Sequence, residues 1–191
     1  MRTLSHVGPM TRTVADAALM LNVLSEPDHR DPTALPYQGI DFTQGLDDGI
    51  NGLKVAFSPD LGYAKVDDEV ARIVEEAVAA FTELGAVVER CDPGIENPKA
   101  IFKAHWWAGA AGAFAHLADD QKAKLEPELA EIVADGQKLS ILDYMRAMDG
   151  RTALCQQLRQ FFRDVDLLLT PSLAVPAFDG GHLQPPGHPA D

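Results

Sequence analysis

Few residue groupings in this chain have types and spacing suited to chemistry. Ser5 and His6 are adjacent, a hydroxyl nucleophile beside a possible general base. Side chains of sequence neighbours rarely reach attack geometry, and no Gly-x-Ser-x-Gly turn exposes a serine anywhere. Cys155 lies between Arg151 and Arg159, near enough on a helix to favour its thiolate. It nevertheless reads as a helical packing residue, since reduced cysteines are usually buried. The histidines at 6, 29, 105, 116, 182 and 188 include no i, i+4 pair around an acid, and no Cys/His spacing fits zinc. No metal or cofactor is expected. Arg12 and Asp16, four apart on one helix face, can form an ion pair. That pair reads first as capping and docking, with steering of a substrate as the functional alternative.

The elements that must position these groups are those of a globular protein. Hydrophobic residues make up 46% of the 191 and charged residues 24%, ordinary values for a packed core with a solvated surface. Sixteen basic residues against 29 acids leave a net charge of −13, the wrong sign for nucleic acid, whose phosphates need clustered Lys and Arg. No apolar run approaches the roughly 20 residues that span a bilayer, and no basic-then-apolar leader opens the chain. Two cysteines do not make a disulfide framework, so the expected setting is reduced and cytoplasmic.

Gly8-Pro9 breaks the backbone, Thr13 can cap a helix, and Asp16 can reach back to the cap's amide. Ala17 to Leu21 and Leu24 supply an apolar stripe too heavy for a free-standing surface helix. Residues 27–51, rich in Pro and Gly, read as loop. A strand at about 53–57, a helix capped by Asp67 and stopped by Gly85, and a strand at about 86–90 make a βαβ unit, which favours parallel pairing. From Asn97 the pattern turns helical. Asn97-Pro98 caps one helix, residues 127–135 form a short one closed by Gly136, and Ser140 with Asp143 boxes a long one. A third strand at about 166–170 is apolar throughout, as for a strand buried on both faces. The tail from Ala174 reads as irregular.

Gly8-Pro-Met-Thr-Arg12-Thr-Val-Ala-Asp16 resembles the G-P-[ML]-[AT]-R-[ST]-V-x-D stretch of the amidase signature family, the Ser-cis-Ser-Lys amide hydrolases. Asp28-His-Arg-Asp31-Pro32, Gly52 to Tyr63, Leu84 to Glu89 and Asp166 to Pro171 resemble later pieces of that family in the same order. The resemblance implies an α/β fold of a few mostly parallel strands flanked by helices, with a helical cap. It implies one incomplete amidase-like domain over 1–191: helix, loop and βαβ unit in 1–96, helical cap in 97–163, strand and irregular tail in 164–191.

It also implies hydrolysis of carboxylic amides through a serine ester, with lysine as ultimate base and backbone amides holding the oxyanion. Within this motif Gly8, Pro9, Arg12, Thr13 and Asp16 are structural. The family's Gly/Ser-rich catalytic stretch precedes it, and only seven residues precede Gly8. The expectation is therefore a chain without the catalytic triad and inactive alone, or else a non-catalytic interaction module. Cap helices in the family fold over the active-site funnel, which makes Trp106, Trp107 and Tyr144 candidate substrate contacts. Packing of the indoles in the core is an equal alternative. Thr170 joins them as a residue at a strand end, where α/β sheets place ligands. Expected partners are a small amide for the full-length parent and further copies of the chain, through exposed edges or helices, but neither nucleic acid nor membrane.

Overall fold

The computed structural model describes residues 4–31, 34–181 and 185. The chain divides into two compact units, one of Met1–Gly49 with Ala104–Leu139, the other of Ile50–Lys103 with Ser140–Asp191.

The second unit contains the sheet. Strand β1 (Lys54–Phe57), helix α2 (Asp68–Glu83) and strand β2 (Val87–Arg90) form the βαβ unit that the alternation of elements predicts. Asp67 caps α2 by accepting from the Glu69 N–H at 2.9 Å. The turn out of α2 needs Gly85, which sits at φ +93°, where a side chain would also collide with Asn51. β1 pairs in parallel with β2, Lys54 opposite Val87, and with β3 (Leu167–Leu169), Val55 opposite Leu167, so the sheet order is β2-β1-β3. Val55, Ala56 and Phe57 of the central strand are buried and form the core of this unit. Above them α2 lays Val70, Val74, Val78 and Phe81 half-buried, yet buries no residue fully.

Helix α6 (Ile141–Phe161) opens on the expected capping box. The Asp143 N–H donates to Ser140 Oγ at 3.1 Å, and the Ser140 N–H donates to Asp143 Oδ2 at 3.1 Å. The Ser140 hydroxyl, which donates to Asp143 Oδ2 at 2.6 Å, and then the Ser140 N–H, with a smaller contribution from Arg146, hold the Asp143 carboxyl below its ordinary value. A depressed carboxylate stabilises the fold above its unfolded value of about 3.9 and loses that contribution as pH falls through the lower folded value. Asp143→Asn is therefore expected to lower the urea midpoint at neutral pH. The difference from the parent chain should vanish near about pH 2, below the carboxylate range.

The first unit is helical. α1 (Val14–Leu24) is capped by Thr13 Oγ1, which accepts from the Asp16 N–H at 3.1 Å. Asn22 ties α1 to the following loop, donating to Asp41 Oδ1 and accepting from the Phe42 N–H, both at 2.8 Å. α3 (Lys99–Phe114) starts where the Lys99 N–H finds Asn97 Oδ1 at 3.0 Å, and its residues from Ala104 onward belong to this unit. The short α4 (Asp119–Lys122), not anticipated from the sequence, precedes α5 (Pro127–Lys138).

Several expectations are corrected. Gly136 does not close α5. The helix continues to Lys138, and Gly136 is buried within it because the backbone of α3 passes there. β3 is not buried on both faces. Among the described residues it is an edge strand, and Leu167 keeps 40% of its surface exposed. The heavy stripe of α1 buries only Ala18, while Leu19, Met20, Val23 and Leu24 stay exposed. Cys155 is exposed rather than packed. Among the described residues the ion pairs do not include Arg12 with Asp16. Residues 174–181 are irregular as expected, and His182 and His188 lie outside the described residues.

Candidate functional site

At the C-terminal ends of three parallel strands, the position where open α/β sheets hold ligands, the second unit brings Ser58, Asp92 and Thr170 to one end of the sheet. Ser58 ends β1 and precedes Pro59, which confines it to extended backbone. Its N–H donates to the Leu169 carbonyl at 2.9 Å, continuing the ladder to β3. Its Oγ donates to Asp92 Oδ1 at 2.6 Å and accepts from the Leu61 N–H at 2.9 Å. Beside it the Cys91 N–H donates to the Phe57 carbonyl at 3.0 Å. The turn beyond Ser58 hangs from these bonds. Leu61 takes a left-handed φ of +58°, costly for a residue with a Cβ, and Asp60 Oδ1 accepts from the Gly62 N–H at 2.8 Å.

Chemically this cluster positions a loop. Ser58 is fully buried, and its proton already points at a carboxylate. The sequence pattern missed it, although a serine before Pro59 at a strand end, with Asp92-Pro93 at the next strand end, was the available signal. The hydroxyl of Ser140 likewise donates to a carboxylate, Asp143 Oδ2 at 2.6 Å. Among the described residues no serine hydroxyl is bonded to a lysine, and no cluster of His, Cys, Asp and Glu could hold a metal ion.

The residues singled out from the sequence fall in both units. Trp106 and Trp107 are half-buried in the first, on one turn of α3. A methyl group on Gly136 would overlap the Trp107 carbonyl oxygen and lie 3.0 Å from Ala111 Cβ, so α5 rests directly on the backbone of α3. Of the Gly/Ala run from Ala108 to Ala113, Ala111 lies at this contact, whereas nothing lies within 4 Å of a methyl placed on Gly112. His105, one residue before the indoles, is buried. In the second unit Tyr144 and Thr170 are half-buried, on the first turns of α6 and just beyond β3. That unit also holds an apolar groove of about 390 Å³, floored by Ile101, Gly150, Ala153 and Leu154; neither Tyr144 nor Thr170 lines it.

Comparison with known proteins decides the ancestry. The profile of the amidase family matches residues 1–191. The chain belongs to the amidase family. An acylamidase from Rhodococcus erythropolis is 35% identical to this amidase-family chain over 176 residues, which are 91% of the chain and 37% of that protein. An amidase from Pseudomonas putida is 29% identical over 189 residues, covering 97% of the chain and 41% of the relative. The crystal structure of a bacterial aryl acylamidase of the amidase signature family superposes with a TM-score of 0.80 at 32% identity, over 88% of this chain and 36% of that one. The amidase-family chain therefore spans well under half the length of these relatives. Its parallel strands with flanking helices are part of their α/β fold, and no helix among its described residues is long and apolar enough to cross a membrane.

Proposed function

We propose that this chain is the scaffold and substrate-side segment of an amide hydrolase acting on N-acyl amides, aryl amides among them, and that it carries no serine nucleophile of its own. The observation behind this reading is the state of its serines. The hydroxyls of Ser58 and Ser140 donate to Asp92 and Asp143, and none of the described serines is bonded to a lysine that could take a proton. The substrate class is drawn from the acylamidase relatives at 35% and 32% identity. A fluorophosphonate probe, which esterifies activated serines, is expected to leave Ser5, Ser25, Ser58, Ser140 and Ser172 unmodified by peptide mass spectrometry. Stoichiometric labelling of any one of them would overturn the reading.

Trp106 and Trp107 in the first unit, and Tyr144 and Thr170 in the second, are each proposed as acyl-side substrate contacts. Their half-burial supports this, since part of each residue's surface stays exposed. An anilide is expected to quench indole fluorescence saturably, and Trp106→Phe or Trp107→Phe to remove part of that response. An unsaturable, variant-independent change would count against both indoles.

A second reading, a non-catalytic module that associates with further copies of itself, draws on the large apolar side chains left exposed. These include Leu19, Val23 and Leu24 on α1, and Ile141, Leu142 and Met145 on α6. Apolar surface of that extent marks association in soluble proteins.

A further inference from the structure

An asparagine followed by glycine is open to attack on its side-chain amide by the next backbone nitrogen, because glycine has no Cβ to hinder the approach. Asn22, Asn51 and Asn97 are the asparagines of this chain, and only Asn51 precedes a glycine. Asn22 precedes the β-branched Val23 inside α1, and Asn97 precedes Pro98, whose nitrogen has no proton to lose.

Asn51 and Gly52 are the central residues of a turn closed by the Leu53 N–H, which donates to the Ile50 carbonyl at 3.1 Å. Gly52 takes φ +80°, the value that the third residue of a type II turn requires. Both residues are exposed, so exposure alone would leave the pair reactive. The Gly52 N–H, however, donates to the Gly85 carbonyl at 2.8 Å, and the Val87 N–H donates to the Leu53 carbonyl at 2.8 Å. These bonds lead into the β1–β2 ladder, so Gly52 loses its acceptor only when the entry to that ladder opens. Gly85 also lies against Asn51: a Cβ there would overlap the Asn51 carboxamide oxygen and lie 3.3 Å from the Asn51 Cα.

We propose that Asn51 is a self-modification site, converted to aspartate and isoaspartate, and that the Gly52–Gly85 bond locks it in the folded chain. Once a base removes the Gly52 amide proton, that nitrogen bonds to the Asn51 Cγ. The Cγ–Nδ2 bond breaks, and ammonia leaves with a proton taken from solvent. Water then opens the cyclic imide at either carbonyl, giving aspartate or a backbone lengthened by one methylene. The net change takes up one water and releases one ammonia. Removal of the same proton begins hydrogen exchange at Gly52, so both reactions wait for the same opening. The longer backbone of the isoaspartate no longer sets Gly52 opposite Gly85, so the modification, once made, holds this entry open.

The purified chain at mildly alkaline pH, read by peptide mass spectrometry, is expected to convert Asn51 at least about tenfold more slowly in native buffer than in denaturing urea. Asn22 and Asn97 should stay amides in both. Without any variant, urea below the unfolding transition should change the conversion of Asn51 and the exchange of the Gly52 amide by the same factor. Gly85→Ala, strained at φ +93° and crowding Asn51, should bring the native rate within about threefold of the unfolded rate. Far-UV circular dichroism checks that this variant folds. Equal rates in native buffer and urea, no conversion of Asn51 in urea, conversion that does not follow Gly52 exchange, or a folded Gly85→Ala chain that stays slow would each overturn the proposal. None of these outcomes bears on amide hydrolysis, so the scaffold reading stands or falls separately.

Discussion

Gly136→Ala is expected to be among the most damaging single substitutions in this chain, costing about 3 kcal/mol or more. The added methyl would overlap the Trp107 carbonyl oxygen, lie 2.7 Å from its carbon and 3.0 Å from Ala111 Cβ. Two of these three atoms are backbone, so no rotamer change relieves the overlap, and α3 and α5 must separate. Val133 and Ala110, buried in the same helical unit, would lose packing with them. Gly112→Ala provides the control. Nothing lies within 4 Å of a methyl there, and a helical glycine replaced by alanine gains about 0.5–1 kcal/mol. Urea denaturation of the two variants should therefore shift in opposite directions. Equal shifts would mean that Gly136 is not a packing glycine.

Ser58→Ala should be the most costly change at this end of the sheet, at about 1–3 kcal/mol. It removes the donor to Asp92 and the acceptor of the Leu61 N–H together, at a position with no exposure to water. The turn from Asp60 to Ala64 would lose its anchor, and its amides should exchange faster, while those of β1 change less. Leu61→Gly tests the same turn from the other side. It relieves the left-handed φ of +58° and should offset part of the loss in the double variant. If Ser58→Ala leaves exchange at Leu61 unchanged, Ser58 does not hold the turn.

Most local structure is legible in the residues themselves. Asp67, Asn97 and the Ser140–Asp143 box cap the helices that their spacing predicts, because a cap is a bond between near neighbours and needs no tertiary partner. The strands of the βαβ unit lie within a residue of their expected bounds for the same reason of local pattern. The features that differ depend on distant segments. A glycine in a helix reads the same whether it ends the helix or admits another backbone, so Gly136 reads as a stop until α3 is seen against it. The apolar runs of α1 and β3 state which faces prefer burial but not what covers them, and Leu19, Val23 and Leu167 remain exposed. Ser58 escapes a reading by motif because its partner lies 34 residues away, and only pairing of β1 with β2 brings Asp92 to it.

The central claim, that this amidase-family segment supplies scaffold and substrate-side residues without a nucleophile, is tested most directly by turnover. The purified 191-residue chain, incubated with a chromogenic aryl amide, is predicted to release no amine above the uncatalysed background. Turnover that disappears when one serine of the chain is replaced by alanine would contradict it.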